Sequence, residues 1–202
     1  MTEVTEPASR ARFGWRLRLL VVIAVLVTAF TVLGIVETMR YSSARPRSAN
    51  QSPGFFTPKS ATPVPFSLPL LTGSGKDPNT SLSQLLGKPL VLNMWASTCT
   101  VCRAETPALE RVARSLGAQV RFVGIDTLDE SRAAGVGFAR RYHVTYTQLY
   151  DPRGIVATGY DVVGLPVSVF VSAGGKVVGE NVGALTNATL RHYLALLFGV
   201  GS

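Results

Sequence analysis

From residue 19 to residue 36 the chain carries no charge, and 13 of these 18 positions are Leu, Ile, Val or Phe. At 1.5 Å per residue a helix of this length extends about 27 Å, close to the roughly 30 Å hydrocarbon core of a bilayer. At roughly −0.45 kcal/mol per large apolar residue, the segment favours insertion by about 6 kcal/mol. A buried core helix would need a polar stripe, and none exists. The pattern predicts one transmembrane helix over residues 19–38. Arg10, Arg12, Arg16 and Arg18 precede it, so residues 1–18 are expected to stay cytoplasmic, although Arg40, Arg45 and Arg47 soften the bias. The apolar run exceeds the 7–15 residues of a cleaved signal peptide, and no clean A-x-A site follows at once. An uncleaved anchor is favoured, with Ser42-Ser43-Ala44 leaving cleavage open.

After the span the pattern changes twice. Residues 39–63 are rich in Ser, Pro, Arg and Asn without periodicity, which predicts a flexible linker. Residues 64–202 then alternate between strand-like and helix-like spacing. Val64–Leu71 and Leu90–Trp95 read as strands. Cys102–Leu116 has apolar residues at helical spacing (Ala108, Leu109, Val112, Ala113, Leu116) and stops at Gly117. Gln119–Ile125 reads as a strand, Ser131–Tyr142 as a helix, and Gln148–Tyr150 as a short strand closed by the turn Asp151-Pro152-Arg153-Gly154. Val167–Val171 and Lys176–Val182 flank Ala173-Gly174-Gly175, a hairpin signal, and Thr186 or Asn187 can cap a last helix through Leu197. A β-α-β half followed by a hairpin and a closing helix predicts an α/β domain, with a central mixed sheet flanked by helices.

The net charge of +8 does not make this a nucleic-acid binder. Residues 1–60 hold eight Lys/Arg against three Asp/Glu, and residues 61–202 hold twelve against nine. Most of the excess therefore flanks the predicted span, where basic residues set topology and meet anionic lipid. Gly73-Ser74-Gly75-Lys76 has a phosphate-loop look, but Leu70 and Asp77 break that pattern.

Chemistry concentrates in Trp95-Ala96-Ser97-Thr98-Cys99-Thr100-Val101-Cys102, which holds the only two cysteines of the chain. At a helix start, the first sulfur of such a pair faces unpaired N–H groups and the positive end of the dipole, which favour thiolate. The second, about one turn on, can resolve a mixed disulfide. Other uses of C-x-x-C fit less well. A zinc site needs four ligands, and neither His143 nor His192 has ligand spacing to the pair. Haem attachment needs His after the second cysteine, where Arg103 stands. A purely structural disulfide would close too small a loop to stabilise much. No metal or cofactor is expected.

With these residues in place, the domain resembles the thioredoxin superfamily, and within it the membrane-anchored TlpA/ResA/CcmG (DsbE-like) thiol–disulfide oxidoreductases. The resemblance spans about Pro65 to Leu197. It rests on the strand Val91-Leu92-Asn93-Met94-Trp95-Ala96, the C-x-x-C, Glu105-Thr106-Pro107, the G-x-P of Gly164-Leu165-Pro166, and Phe170 with Gly174-Gly175-Lys176. It implies a thioredoxin-like fold, Cys99 as nucleophile, Cys102 as the shielded resolving cysteine, and Glu105 as their proton carrier. Asn93 stands where thioredoxin has a titrating Asp, and Asn cannot titrate. The resemblance further implies that Trp95, Leu165 and Pro166 bind substrate, with Pro166 cis and the Leu165 backbone pairing with an extended substrate strand. Pro107 is expected to bend the active-site helix, because an interior proline removes a backbone hydrogen bond. Asp126, Asp161, His143 and His192 have no comparable placement and read as ordinary structural or surface residues.

The function implied is a single-pass protein of a bacterial cell membrane, with its redox domain on the extracytoplasmic side, reducing disulfides of exported proteins. Apocytochrome c in cytochrome c biogenesis is a candidate substrate, and a membrane thiol electron donor would re-reduce the pair. The alternatives are an oxidant that forms disulfides in exported proteins and a non-catalytic binding module. Thr98 stands where the family usually has Trp, and Thr100-Val101 replaces the usual pair between the cysteines, which leaves the direction of electron flow open. A peroxidase fits less well, since Ala96 occupies the threonine position of the peroxidatic T-x-x-C setting.

Overall fold

The computed structural model describes residues 21–31, 54–73 and 77–201. The chain forms two units, residues 1–50 and residues 51–202. In the first, residues 21–31 are helical (α1), with Val21, Val22, Ile23, Val25, Leu26, Val27 and Phe30 all exposed. The span predicted over residues 19–38 lies only partly within the described residues, and among these no helix is long and apolar enough to cross a membrane. Thr28 and Thr31 hydroxyls donate to carbonyls of the preceding turn (Thr28 Oγ1 to Val25, Thr31 Oγ1 to Val27), so α1 leaves no polar side chain unpartnered at those positions.

The second unit is built on a six-stranded mixed sheet. Its strands are β1 (Phe55–Phe56), β4 (Leu90–Trp95), β5 (Arg121–Thr127), β6 (Thr147–Asp151), β7 (Val167–Val171) and β8 (Val177–Val182), in the order β1-β8-β7-β4-β5-β6. β4, β5 and β6 run parallel, while β7, β8 and β1 add antiparallel neighbours on the other side of β4. A separate ribbon pairs β2 (Ser67–Leu68) with β3 (Thr80–Ser81), and β3 leads directly into α2 (Leu82–Leu85). The remaining helices are α3 (Thr100–Leu116), α4 (Arg132–Arg141), α5 (Ile155–Gly159) and α6 (Asn187–Phe198).

β4 sits at the centre because every residue in it is buried, as expected for an apolar strand covered on both faces. Successive side chains point to opposite faces. Leu90, Leu92 and Met94 join Val123, Ile125 and Leu149 under α2 and α5. Val91 joins Phe122 and Phe170 under α3 and α6, through Leu109, Val112, Leu190 and Leu194. Each fully buried Leu or Val contributes about 1.5–3 kcal/mol, so truncating Leu92 to Ala would cost about 2–5 kcal/mol. Near the carboxyl end of β4 a third cluster gathers Leu71, Trp95, Cys102, Phe138 and Ala139 between β4, α3 and α4.

Several elements match the sequence pattern closely. β4 and β7 have the expected bounds, α4 is capped by Ser131, which accepts from the Ala134 N–H, and α6 is capped by Thr186. Helix α3 runs through Pro107 without interruption. The strand expected over Val64–Leu71 is broken up: Ser67–Leu68 pairs with β3 and Leu70 makes an isolated antiparallel bridge to Leu149, because Pro65 and Pro69 cannot donate to a ladder. The folded unit also begins ahead of the expected boundary at residue 64, since Phe55 and Phe56 pair with Asn181 and Glu180. Residues 39–53 of the expected linker lie outside the described residues.

Candidate active site

The cysteines stand where a parallel strand hands over to a helix. Cys99 is the N-cap of α3, and its Sγ accepts the Cys102 N–H at 3.0 Å. In the dithiol form the same N–H, with the helix dipole behind it, would stabilise a Cys99 thiolate. The two cysteines are disulfide-bonded, with Cα atoms 5.3 Å apart. Cys99 is partly exposed and Cys102 is buried (1% exposed), which is the asymmetry a nucleophile and a resolving thiol require.

The turn before Cys99 is tied down on both sides. Ser97 donates its backbone N–H to Asp129 Oδ2 at 2.9 Å and its hydroxyl to Asp129 Oδ1 at 2.8 Å. Its carbonyl accepts Arg103 Nε and Nη2 at 3.2 and 2.9 Å, and the Cys99 N–H closes the turn onto Ala96 O. The turn that carries Cys99 is therefore held by hydrogen bonds from Ala96 just after β4, from α3 and from the segment after β5.

Glu105 lies one turn after Cys102 on α3 and is only 1% exposed. Its Oε1 accepts the Leu185 N–H at 2.9 Å and its Oε2 accepts the Asn93 side-chain amide at 3.2 Å. Burial outweighs these two donors and pushes its pKa up to about 7. A carboxyl poised there can exchange a proton with a thiol near neutral pH. Asn93 also donates to Ser168 Oγ at 3.0 Å, so it links the carboxyl to β7.

On the β7 side of β4, the Leu165–Pro166 bond is cis. Pro166 is buried, and its carbonyl accepts the Gly183 N–H at 2.8 Å. Leu165 is half-buried and packs against the cluster that contains Cys102. Its backbone N–H and carbonyl have no partner among the described residues, leaving them free for an extended chain.

Trp95 is placed differently from the sequence expectation. It is 3% exposed, its indole N–H donates to Gln148 Oε1 at 2.9 Å, and its ring stacks on Phe138 with centroids 4.4 Å apart. It supports the site from beneath, in the core, and offers no surface to a substrate. The strand pleat turns it inward, on the same face as Asn93.

Asp126, read from sequence as ordinary, is fully buried at the end of β5, in register with Trp95. Neither carboxylate oxygen has a hydrogen-bond partner within the described residues, and a Cβ on Gly135 would fall 1.9 Å from Oδ2. Burial, with the Asp129 carboxylate adding to it, pushes its pKa up to about 9, so it is neutral at pH 7. The β5 alternation that points Phe122 inward also points Asp126 inward, and this signal could have revealed it. Asp161 by contrast forms an exposed ion pair with Lys59 at 3.1 Å, and His143 and His192 are exposed. Among the described residues no group of three or more His, Cys, Asp or Glu could hold a metal ion.

The AhpC/TSA family profile matches residues 60–179. The chain is 38% identical over 127 residues to the thiol:disulfide interchange protein DsbE of Allochromatium vinosum, covering 61% of this chain and 66% of that one. It is 31% identical over 117 residues to the thiol-disulfide oxidoreductase ResA of Bacillus subtilis, covering 57% and 65%. These alignments thus span just under two thirds of each relative's own length. Among solved structures, a secreted Mycobacterium tuberculosis disulfide oxidoreductase homologous to Escherichia coli DsbE superposes with a TM-score of 0.58 at 33% identity, covering 65% of this chain and 96% of that one.

Proposed function

The chain belongs to the AhpC/TSA family of thioredoxin-like proteins and is a thiol–disulfide oxidoreductase, and from that premise we propose that it reduces disulfides of exported proteins outside the cytoplasm. The observation that carries this reading is the pairing of a half-exposed Cys99 at a helix N-terminus with a buried Cys102 one turn from a carboxyl of pKa about 7.

The reaction follows from that arrangement. The Cys99 thiolate attacks one sulfur of a substrate disulfide, and the other leaves as a thiolate that takes a proton. The mixed disulfide lies beside Pro166, with the substrate backbone paired to Leu165. Glu105 accepts the Cys102 proton. The Cys102 thiolate then attacks the Cys99 sulfur, expels the second substrate thiolate, and leaves the Cys99–Cys102 disulfide. Two electrons and two protons from a membrane thiol donor restore the dithiol.

The charge-free run over residues 19–36, with four arginines before it, supports a single membrane anchor with the redox unit on the far side of a bacterial cell membrane. Apocytochrome c, whose C-x-x-C-H thiols must be free before haem attachment, is a substrate of suitable chemistry. Cys102→Ser tests the order of events. It should accumulate covalent, thiol-reversible adducts on Cys99, whereas adducts carried by Cys102 in a Cys99→Ser variant would overturn the assignment.

A further inference from the structure

A cavity of about 360 Å³ is lined by Ser97 and Arg103, two residues before Cys99 and one after Cys102, and thiol–disulfide exchange gives it no role. Ser97 and Arg103 form one wall, Arg141 another, and Phe138, Tyr142 and Gly137 complete it. It opens between the start of α3 and the C-terminal half of α4. β4 has β7, which follows Pro166, on one side and β5, which leads to α4, on the other. The cavity therefore lies on the other side of β4 from Pro166.

Its charge is one-sided. The Arg103 guanidinium is fixed by Nε and Nη2 on the Ser97 carbonyl, which leaves Nη1 uncommitted. Arg141 is exposed and forms no ion pair with a described residue. The loop before α4 carries two acidic groups: Asp129 is buried (7% exposed) and already holds the Ser97 N–H and hydroxyl, and Glu130 is exposed and outside the cavity lining. Two cations thus face an open space within a few residues of the reacting sulfur. A planar guanidinium with free N–H groups matches a carboxylate.

We propose that this cavity is an anion subsite of the redox centre, taking an acidic side chain of the substrate polypeptide that flanks the cysteine attacked by Cys99. The proposal rests on the exchange reading given above. An extended substrate lying over Cys99 would send one arm along Leu165 and Pro166 and the other over this cavity. An acidic residue on the second arm meets Arg141 and Arg103 together, so the pair selects among disulfides that pairing with the Leu165 backbone alone would treat alike. Paired charges at such an open site act mainly on encounter rate and are screened by salt.

The test uses the reduced full chain in mild detergent and three peptides of equal length, each with one disulfide and with Glu, Gln or Lys flanking the target cysteine. At low salt the Glu peptide should react about threefold faster than the Gln peptide, and the Lys peptide more slowly still. The preference should fade in about 0.5 M salt. Arg141→Gln should remove the preference while leaving the Gln-peptide rate unchanged, and Arg141→Glu should invert it. Gly137→Val, tolerated because an added Cβ there meets nothing within 4 Å, adds bulk to the cavity wall without altering charge and should also blunt the preference. Equal rates for the three peptides, or an Arg141→Gln variant that slows all three alike, would overturn the subsite. A Gln peptide that is not reduced at all would instead overturn the exchange reading beneath it.

Discussion

The side-chain amide of Asn93 donates to Glu105 Oε2 at 3.2 Å, joining the central strand to the active-site helix through a carboxyl that has almost no access to solvent. The amide supplies a hydrogen bond and cannot itself carry a proton. In the proposed mechanism the titrating role therefore falls to Glu105, whose pKa near 7 is a balance of burial against two donors.

Glu105→Gln keeps the shape of that group and removes the proton exchange. The rate at which Cys102 resolves a mixed disulfide on Cys99 should rise in the native protein as pH passes through about 7 and Glu105 becomes able to accept a proton. In the variant the rate at pH 8 should be about 100-fold lower. An inflection near pH 7 that survives the substitution, followed by stopped-flow fluorescence, would assign the proton transfer elsewhere.

Asp126 bears on stability. Its folded pKa is raised from 3.8 to about 9, so the folded state holds a proton that the unfolded chain releases near pH 4. Its contribution is therefore fully present below about pH 4 and is lost progressively as pH rises toward 9. Asp126→Asn removes that slope. The urea midpoint of the native protein should fall between pH 6 and pH 9, and that of the variant should fall distinctly less. Equal losses in both proteins would mean that Asp126 is not held neutral.

Trp95 separates support from recognition. Trp95→Phe deletes the indole hydrogen bond and leaves the buried Gln148 Oε1 without it, which should lower stability by about 1–3 kcal/mol in a denaturant titration. KM for a disulfide peptide should stay as it is. A raised KM with unchanged stability would return Trp95 to the substrate surface.

What the chain disclosed by pattern was local. β4 and α3 are legible because an apolar run of strand length meets a capping cysteine and helical spacing of Leu109, Val112 and Leu116. β1 and α5 are not. Phe55 and Phe56 are defined by partners at Asn181 and Glu180, and the single turn Ile155–Gly159 is too short to carry a period. The site divides the same way. The C-x-x-C of Cys99 and Cys102 is legible in spacing, and Glu105 follows from the family resemblance. The Leu185 N–H that holds Glu105 and the Asp129 carboxylate that holds Ser97 are tertiary relations across long loops, invisible to periodicity. The burial of Trp95 depends on α4, whose Phe138 stacks on its ring, a tertiary contact that local pattern does not carry.

The reduction potential of the Cys99–Cys102 pair in the full chain, set by equilibration in thiol buffers, tests the reductase reading most directly. Every 30 mV corresponds to about 1.4 kcal/mol of disulfide stability, and the superfamily extends from about −270 mV for thioredoxin to about −120 mV for a strong oxidant. A reductase of exported proteins should lie near the thioredoxin end. A value near −120 mV would contradict it and make the protein a source of disulfides.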